Sequence, residues 1–316
     1  MRLLDRPITG GHAFGVFLMV IVALLWSSAG ICTKMLSPEL VQNNQWEIVF
    51  WRSFFSSITV FISFALLFGK NPFVEWFKTG AIGLLSTCFW MVLQTCFMLS
   101  LALTTSANVY LICSINPMLA AIFARVILKT RLPIRTIIAV VLTVIGVACV
   151  AAGGVGAGEL TTPAQWLGVF LAFFVTSTSA MNFVFMQGWG KGRNFIPCSA
   201  MGGALSALIA FLCANPFVGT PADIAILAYL GVFQVGIASV LLIISSRYLI
   251  APEIGLISRI ETVAGPLWPW IFVGEAPNTP SIFGGAIILF ALIGHEIVGA
   301  RKQIAQFIRL RKRQAS

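Results

Sequence analysis

Ala13–Met35 reads AFGVFLMVIVALLWSSAGICTKM, twenty-three residues whose only charge, Lys34, comes next to last. About 20 apolar residues of helix cross ~30 Å of hydrocarbon, so the run is long enough to span a bilayer. Hydrocarbon offers peptide groups no partner, which restricts spanning segments to helices or a closed barrel. A barrel strand alternates apolar and polar residues over roughly ten positions. This run is apolar without alternation, and a helix follows. Arg2 and Arg6 precede it as in a signal peptide, but the run is longer than such segments and has no clear small-residue cleavage site.

Nine further runs of this kind follow. The ten predicted spans cover 13–35, 46–68, 78–100, 103–126, 135–153, 164–187, 197–215, 224–246, 252–273 and 281–300. Turn chemistry separates them, as at Gly69-Lys70-Asn71-Pro72, Leu132-Pro133, Asn215-Pro216 and Pro277 to Pro280. Composition agrees. Of 316 residues 59% are hydrophobic and only 9% charged, against about 25% charged in a soluble domain. The expected fold is an all-α integral membrane protein whose principal partner is the lipid bilayer.

The net charge of +10 would suggest nucleic acid in a soluble chain. Here the bases fall in loops and a tail, so no nucleic-acid partner is expected. Arg2, Arg6, Lys70, Lys78, Arg125, Lys129, Arg131, Arg135, Lys191, Arg193, Arg247 and the tail from Arg301 all fall on one side of a ten-span topology. Loops on the other side hold Glu39, Glu159, Asp223 and Glu275 and no Lys or Arg. The positive-inside rule then puts both termini in the cytoplasm, in a bacterial inner-membrane-type arrangement. Oligomeric state is not encoded visibly.

Other chemistry is absent from the sequence. The seven cysteines form no CxxC pair and nearly all lie in apolar runs, so they read as packing residues. His295-Glu296 lacks the second histidine of a zinc-protease motif, and no Walker A sequence occurs. No cofactor or metal is expected.

The two halves repeat. Gly15-Val16-Phe17-Leu18 in span 1 matches Gly168-Val169-Phe170-Leu171 in span 6. Ser106-Ala107 precedes Asn116-Pro117 by ten residues in span 4, as Ala251-Pro252 precedes Glu261-Thr262 in span 9. Five spans per repeat is an odd number, so the second repeat crosses in the opposite sense. Two inverted five-helix repeats enclose a midplane site in many secondary transporters. The expected division is an N-terminus over 1–12, repeats over 13–153 and 164–300, an outer linker over 154–163 and a basic tail over 301–316.

These residues also carry a family resemblance. Trp26-Ser27-Ser28 with Lys34, Arg52, Leu103-Thr104-Thr105-Ser106-Ala107 with Pro117, Ser258-Arg259-Ile260-Glu261-Thr262 with Pro266, and Gly274-Glu275 resemble the drug/metabolite transporter superfamily in its EamA-type ten-helix form. Lys129-Thr130 and Glu261-Thr262 depart from the Gly-Glu and Glu-Pro pairs usual there. The resemblance implies transport of a small organic metabolite, with export the family-weighted direction.

Charges inside spans are costly, at roughly 2.5–3.5 kcal/mol each by insertion scales, and face the bundle interior. The candidates are Lys34, Arg52, Arg259 and Glu261. By helix rise Glu261 sits about 13 Å inside, near the midplane. It either faces a central cavity, for substrate or proton coupling, or pairs with Arg52 or Arg259. Arg52 can bind a carboxylate bidentately, pair with Glu47, or cap helix carbonyls. Lys34 can line the cavity or snorkel to the interface. Trp26 and Trp90 sit at mid-depth, away from the aromatic belts, and either line the cavity or pack between helices. Gln94, Tyr110, Asn116, Asn182 and Gln234 either line a partly polar cavity or join helices by hydrogen bonds. Pro117, Pro266 and Pro269 are candidate hinges. With three intramembrane bases against one acid, a carboxylate-bearing substrate such as an amino acid is favoured. The alternatives are a carrier of cationic amines and, in other classes, an intramembrane enzyme or a membrane sensor. A transporter, not an enzyme, is expected, since no catalytic His, Asp or Cys cluster shares one depth.

Overall fold

A computed structural model of the chain describes residues 11–129, 134–156, 162–190, 193–214, 216–249 and 251–294. The expected basic tail, residues 1–10 of the N-terminus and residues 157–161 of the linker lie outside the described residues. All ten predicted spans correspond to helix, and no strand occurs among the described residues. Seven helices are long and apolar enough to cross a membrane: His12–Lys34, Gln45–Phe68, Gly80–Leu103, Ser106–Ile127, Pro163–Trp189, Ile196–Cys213 and Pro221–Ser245. These are spans 1–4 and 6–8. Span 5 is the helix Ile134–Gly156, and span 10 includes the apolar helix Thr279–Gly294. Span 9 is two pieces, Ala251–Ser258 and Ile260–Val273, each too short to cross alone.

Local chemistry sets the ends. Asn44 accepts from the Glu47 amide to start span 2, and capping boxes at Thr162/Gln165 and Thr220/Asp223 start spans 6 and 8. Gly69 and Gly274 stop spans 2 and 9 at φ of 59° and 76°, a left-handed turn that a Cβ would strain.

The inverted repeat is visible in how the spans pair. An exchange of each span n with span n+5 turns one half of the bundle into the other. Span 3 packs on span 6 and span 1 on span 8; span 3 on span 7 and span 2 on span 8; span 4 on span 6 and span 1 on span 9. Each pair is the image of the other. Spans 2 and 7, and spans 4 and 9, pack on each other and map onto themselves. Gly146 of span 5 and Gly284 of span 10 also meet, each backbone lying where the other's Cβ would be. Side chains follow the same relation. A Cβ on Gly202 would strike the Met91 amide at 2.9 Å, beside Trp90, and one on Gly231 would strike the Ser56 amide at 2.8 Å, beside Phe55. The image of the contact between spans 3 and 7 is the contact between spans 2 and 8, with the glycine moved to the other partner.

One face of the bundle carries Lys70, Lys78, Arg125, Lys129, Arg193 and Arg247, and the opposite face carries Glu39, Asp223 and Glu275. We call them the basic and acidic faces. Packing differs between them. The largest buried cluster includes Ala29, Leu40, Ile48, Met98, Tyr110, Ala172, Ala210 and Leu230, and it joins both repeats in the acidic-side half. On the basic side, among the described residues, two smaller clusters each also join the repeats. One holds Met19, Val22, Ala238 and Leu249, and another holds Met118, Ala139 and Leu292. The outward surface is apolar, with Leu66, Ile134, Leu212 and Phe290 at least two-thirds exposed. Water would penalise that much apolar area; lipid tails do not.

Candidate substrate site

Three spans are broken inside the bundle, each beside a serine. Span 1 is interrupted at Ser28, span 4 between Cys113 and Asn116, and span 9 at Arg259. Ser27 and Ser28 donate to the carbonyls of Leu24 and Leu25, Ser114 to Leu111, and Ser258 to Gly255. Such back-bonding competes with the helix ladder and bends it. Pro117 opens the second piece of span 4, next to its break. Pro266 and Pro269 lie inside a helix that continues through them, so span 9 breaks seven residues before Pro266.

The break in span 1 frees backbone groups that other spans take up. The Tyr110 hydroxyl lies 3.1 Å and 3.0 Å from the carbonyls of Trp26 and Ser27 as donor, and accepts from the Gly30 amide at 3.2 Å. The Trp268 indole donates to the Ser27 hydroxyl at 2.8 Å. Gln234 also donates to the Trp26 carbonyl, at 3.5 Å.

Arg52 is the centre of the polar interior. Its guanidinium donates through Nη1 to Gln94 Oε1 at 2.6 Å and through Nη2 to Gln234 Oε1 at 3.0 Å. Gln94 and Gln234 come from spans 3 and 8, which the repeat relates. A π-helical turn over Leu230–Ile237 carries Gln234, and such turns recur at functional sites. The Phe97 ring lies 5.6 Å from the guanidinium carbon. Arg52 is only 4% exposed, its Nε has no partner, and no carboxylate lies within ion-pair distance among the described residues. Glu47, the sequence-level rival for Arg52, instead accepts from the Val218 and Gly219 amides and the Trp51 indole.

Glu261 is half-buried on span 9 and makes no hydrogen bond or ion pair among the described residues. It lies in electrostatic range of Arg259, and of Tyr110 and Cys113 on span 4. Tyr110 is also in range of Arg52. The interior thus holds a base and an acid that both act electrostatically on one tyrosine, with no ion pair to either among the described residues. Arg259 Nε donates to the Gly255 carbonyl.

The structure brings Trp26, Arg52, Gln94, Tyr110 and Gln234 into one network, with Glu261 beside it. Other candidates lie elsewhere. Lys34 pairs with Glu275 at 3.4 Å and donates to the Thr104 carbonyl at the acidic face. Asn182 accepts from Ser86, and Asn116 donates to the Thr176 carbonyl, both joining helices. Trp90 is half-buried where span 7 crosses at Gly202.

A family model described as "EamA-like transporter family" matches residues 13–152 and 166–295, most of the chain. The chain belongs to the EamA-like transporter family. No curated protein matches it. Fourteen solved chains do. One, described as "Crystal structure of protein", superposes with a TM-score of 0.63 at 18% identity, covering 92% of this chain and 99% of its own. That likeness is one of fold. As an EamA-like protein the chain is a multi-pass membrane transporter of the drug/metabolite type. Within this EamA-like fold, sequence reasoning did not single out for the site Trp268 or Ser27, which receives it. The Trp26-Ser27-Ser28 triplet inside an apolar run was the available signal.

Proposed function

We propose that this EamA-like protein is a secondary carrier for a small zwitterion, an amino acid or close analogue, working by alternating access. The observation that carries this reading is Arg52, a buried guanidinium held by two glutamine oxygens, with an orphaned Nε and no acid partner among the described residues. A buried charge without a counter-ion is costly unless a ligand supplies one. A substrate carboxylate meets that need. Glu261, lacking an ion pair and nearer the midplane, suits the ammonium end. The largest joined cluster in the acidic-side half, against two smaller clusters on the basic side, supports a state open toward the basic face. The basic face is taken as cytoplasmic on charge grounds, and loading from that side favours export. Glu261 is also the group through which protons would couple.

The test is a thermal-shift screen of the purified protein against amino acids, matched amines without a carboxylate, and matched acids without an amine. A ligand at a hundred times its Kd stabilises by about 2.7 kcal/mol. Compounds carrying both groups should raise Tm, and Arg52→Gln should erase the shift. Stabilisation by simple amines that Arg52→Gln leaves intact would replace this reading with a carrier of cationic amines. Uptake into liposomes with and without a proton gradient separates coupled from facilitated transport.

A further inference from the structure

We infer that Tyr110 is the positioning residue that seals the acidic-side route to the interior, and that its absence from the second repeat biases the carrier toward its basic-side-open state. The inference rests on the alternating-access reading above.

Depth comes first. Tyr110 is four residues from the acidic end of span 4, about 6 Å along the helix, whereas Asn116 is ten residues and about 15 Å in. Gly265 on span 9 is eight residues from Val273, about 12 Å. Tyr110 therefore stands between the midplane and the acidic face.

It contacts spans 1 and 9. The ring, only 2% exposed, fills space left by two glycines. A Cβ on Gly265 would meet ring atoms at 2.5 Å, and one on Gly30 would meet the ring at 3.0 Å. The hydroxyl binds the freed carbonyls of Trp26 and Ser27 and the Gly30 amide. One side chain of span 4 thus fastens span 1 at its break and plugs the gap to span 9. It belongs to the apolar cluster that joins both repeats.

The second repeat has no equivalent. The ten-residue spacing that aligns Asn116 with Glu261 aligns Tyr110 with Gly255, which has no side chain. All eight residues Glu253–Ile260 there are half-buried, whereas Ser106–Ile112 are all buried. Among the described residues the span 4 piece packs on spans 3, 5, 6 and 9 and the span 9 piece on span 1, so the exchange of tyrosine for glycine goes with looser packing around the second position.

The test reads access, not substrate, so it can fail independently of the zwitterion reading. The native chain is reconstituted in vesicles of known orientation, and a charged, membrane-impermeant methanethiosulfonate is added to one face. Labelling is quantified for each cysteine by mass spectrometry. Cys113, half-buried and three residues past Tyr110 on span 4, is the reporter, and buried Cys198 is the folding control. Wild type should label at Cys113 from the basic face at least tenfold faster than from the acidic face. Tyr110→Phe keeps the ring and drops the hydroxyl bonds. At about 0.6 kcal/mol for each interhelical bond in membranes, losing the donated and the accepted bond should raise acidic-face labelling about fivefold to tenfold. Gly255→Phe should lower basic-face labelling, which tests the idea without touching Tyr110. Equal labelling from both faces in wild type, an unchanged acidic-face rate in Tyr110→Phe, or a parallel rise at Cys198 would overturn it.

Discussion

Arg52 and Glu47 lie five residues apart on one helix, one a base and one an acid, and they do not pair. Glu47 is spent on the connection before span 8, where its two oxygens take the amides of Val218 and Gly219. Hydrogen bonds to a charged group contribute about 1.5–3 kcal/mol, so Glu47→Ala should lower stability by about 3 kcal/mol. Its substrate selectivity should not change. A denaturation midpoint alongside a substrate competition series checks both halves, and altered selectivity would place Glu47 in the site. Arg52→Lys makes the opposite case. It keeps the charge but loses the fork that reaches Gln94 and Gln234 together. Folding should survive while apparent substrate affinity falls about tenfold or more, read as a raised KM in liposome uptake. An unchanged KM would remove the guanidinium from recognition. The sequence could show that Arg52 and Glu261 are buried charges, because a charge inside an apolar run has no other reading. It could not show their partners, because Gln94 lies 42 residues from Arg52 and Gln234 lies 182.

Elements were legible to the extent that composition alone defines them. Twenty apolar residues bounded by Gly, Pro and Asn read directly as a span, and all ten appear as helix. The breaks were not legible, because no proline marks the one at Ser28 or the one at Arg259. Serine hydroxyls mark them instead, and serine inside a membrane helix is compatible with either a bend or a straight ladder. The prolines that drew attention, Pro266 and Pro269, sit in unbroken helix. Packing between elements depends on two glycines that the repeat relates. At Gly202 an added methyl meets the Thr87 carbonyl at 2.8 Å, and at Gly231 the Arg52 carbonyl at 2.7 Å. Both are backbone atoms that cannot rotate away. Overpacking of this kind costs about 1–3 kcal/mol. Gly202→Ala and Gly231→Ala should therefore destabilise to a similar degree, while Gly231→Ala, at the Arg52 carbonyl and three residues before Gln234, should also weaken substrate binding. Thermal melts with and without ligand distinguish the two effects. If Gly231→Ala melted as wild type, the close crossing of spans 2 and 8 would be wrong.

For the whole molecule, the two repeats insert in opposite senses, and the polar contacts between remote connections fit that arrangement at both faces. At the acidic face Ser37 donates to Asp223 through its amide and hydroxyl, Asn44 donates to the Pro216 carbonyl, and Lys34 pairs with Glu275. At the basic face His12 lies 3.0 Å from Glu253, and Arg193 donates to the Thr79 carbonyl. Each contact joins the first repeat to the second at ends that a ten-span path brings to the same side. Single cysteines at exposed loop positions test the path directly. Lys70→Cys and Lys129→Cys should react with an impermeant thiol reagent from one side of a sealed vesicle, and Glu39→Cys from the other, a separation that detergent abolishes. Reaction of Lys70→Cys and Glu39→Cys from the same side would require an odd shift in the span count. The repeats would then insert in parallel, and the pairing of Gln94 with Gln234 around Arg52 would have no symmetry to explain it.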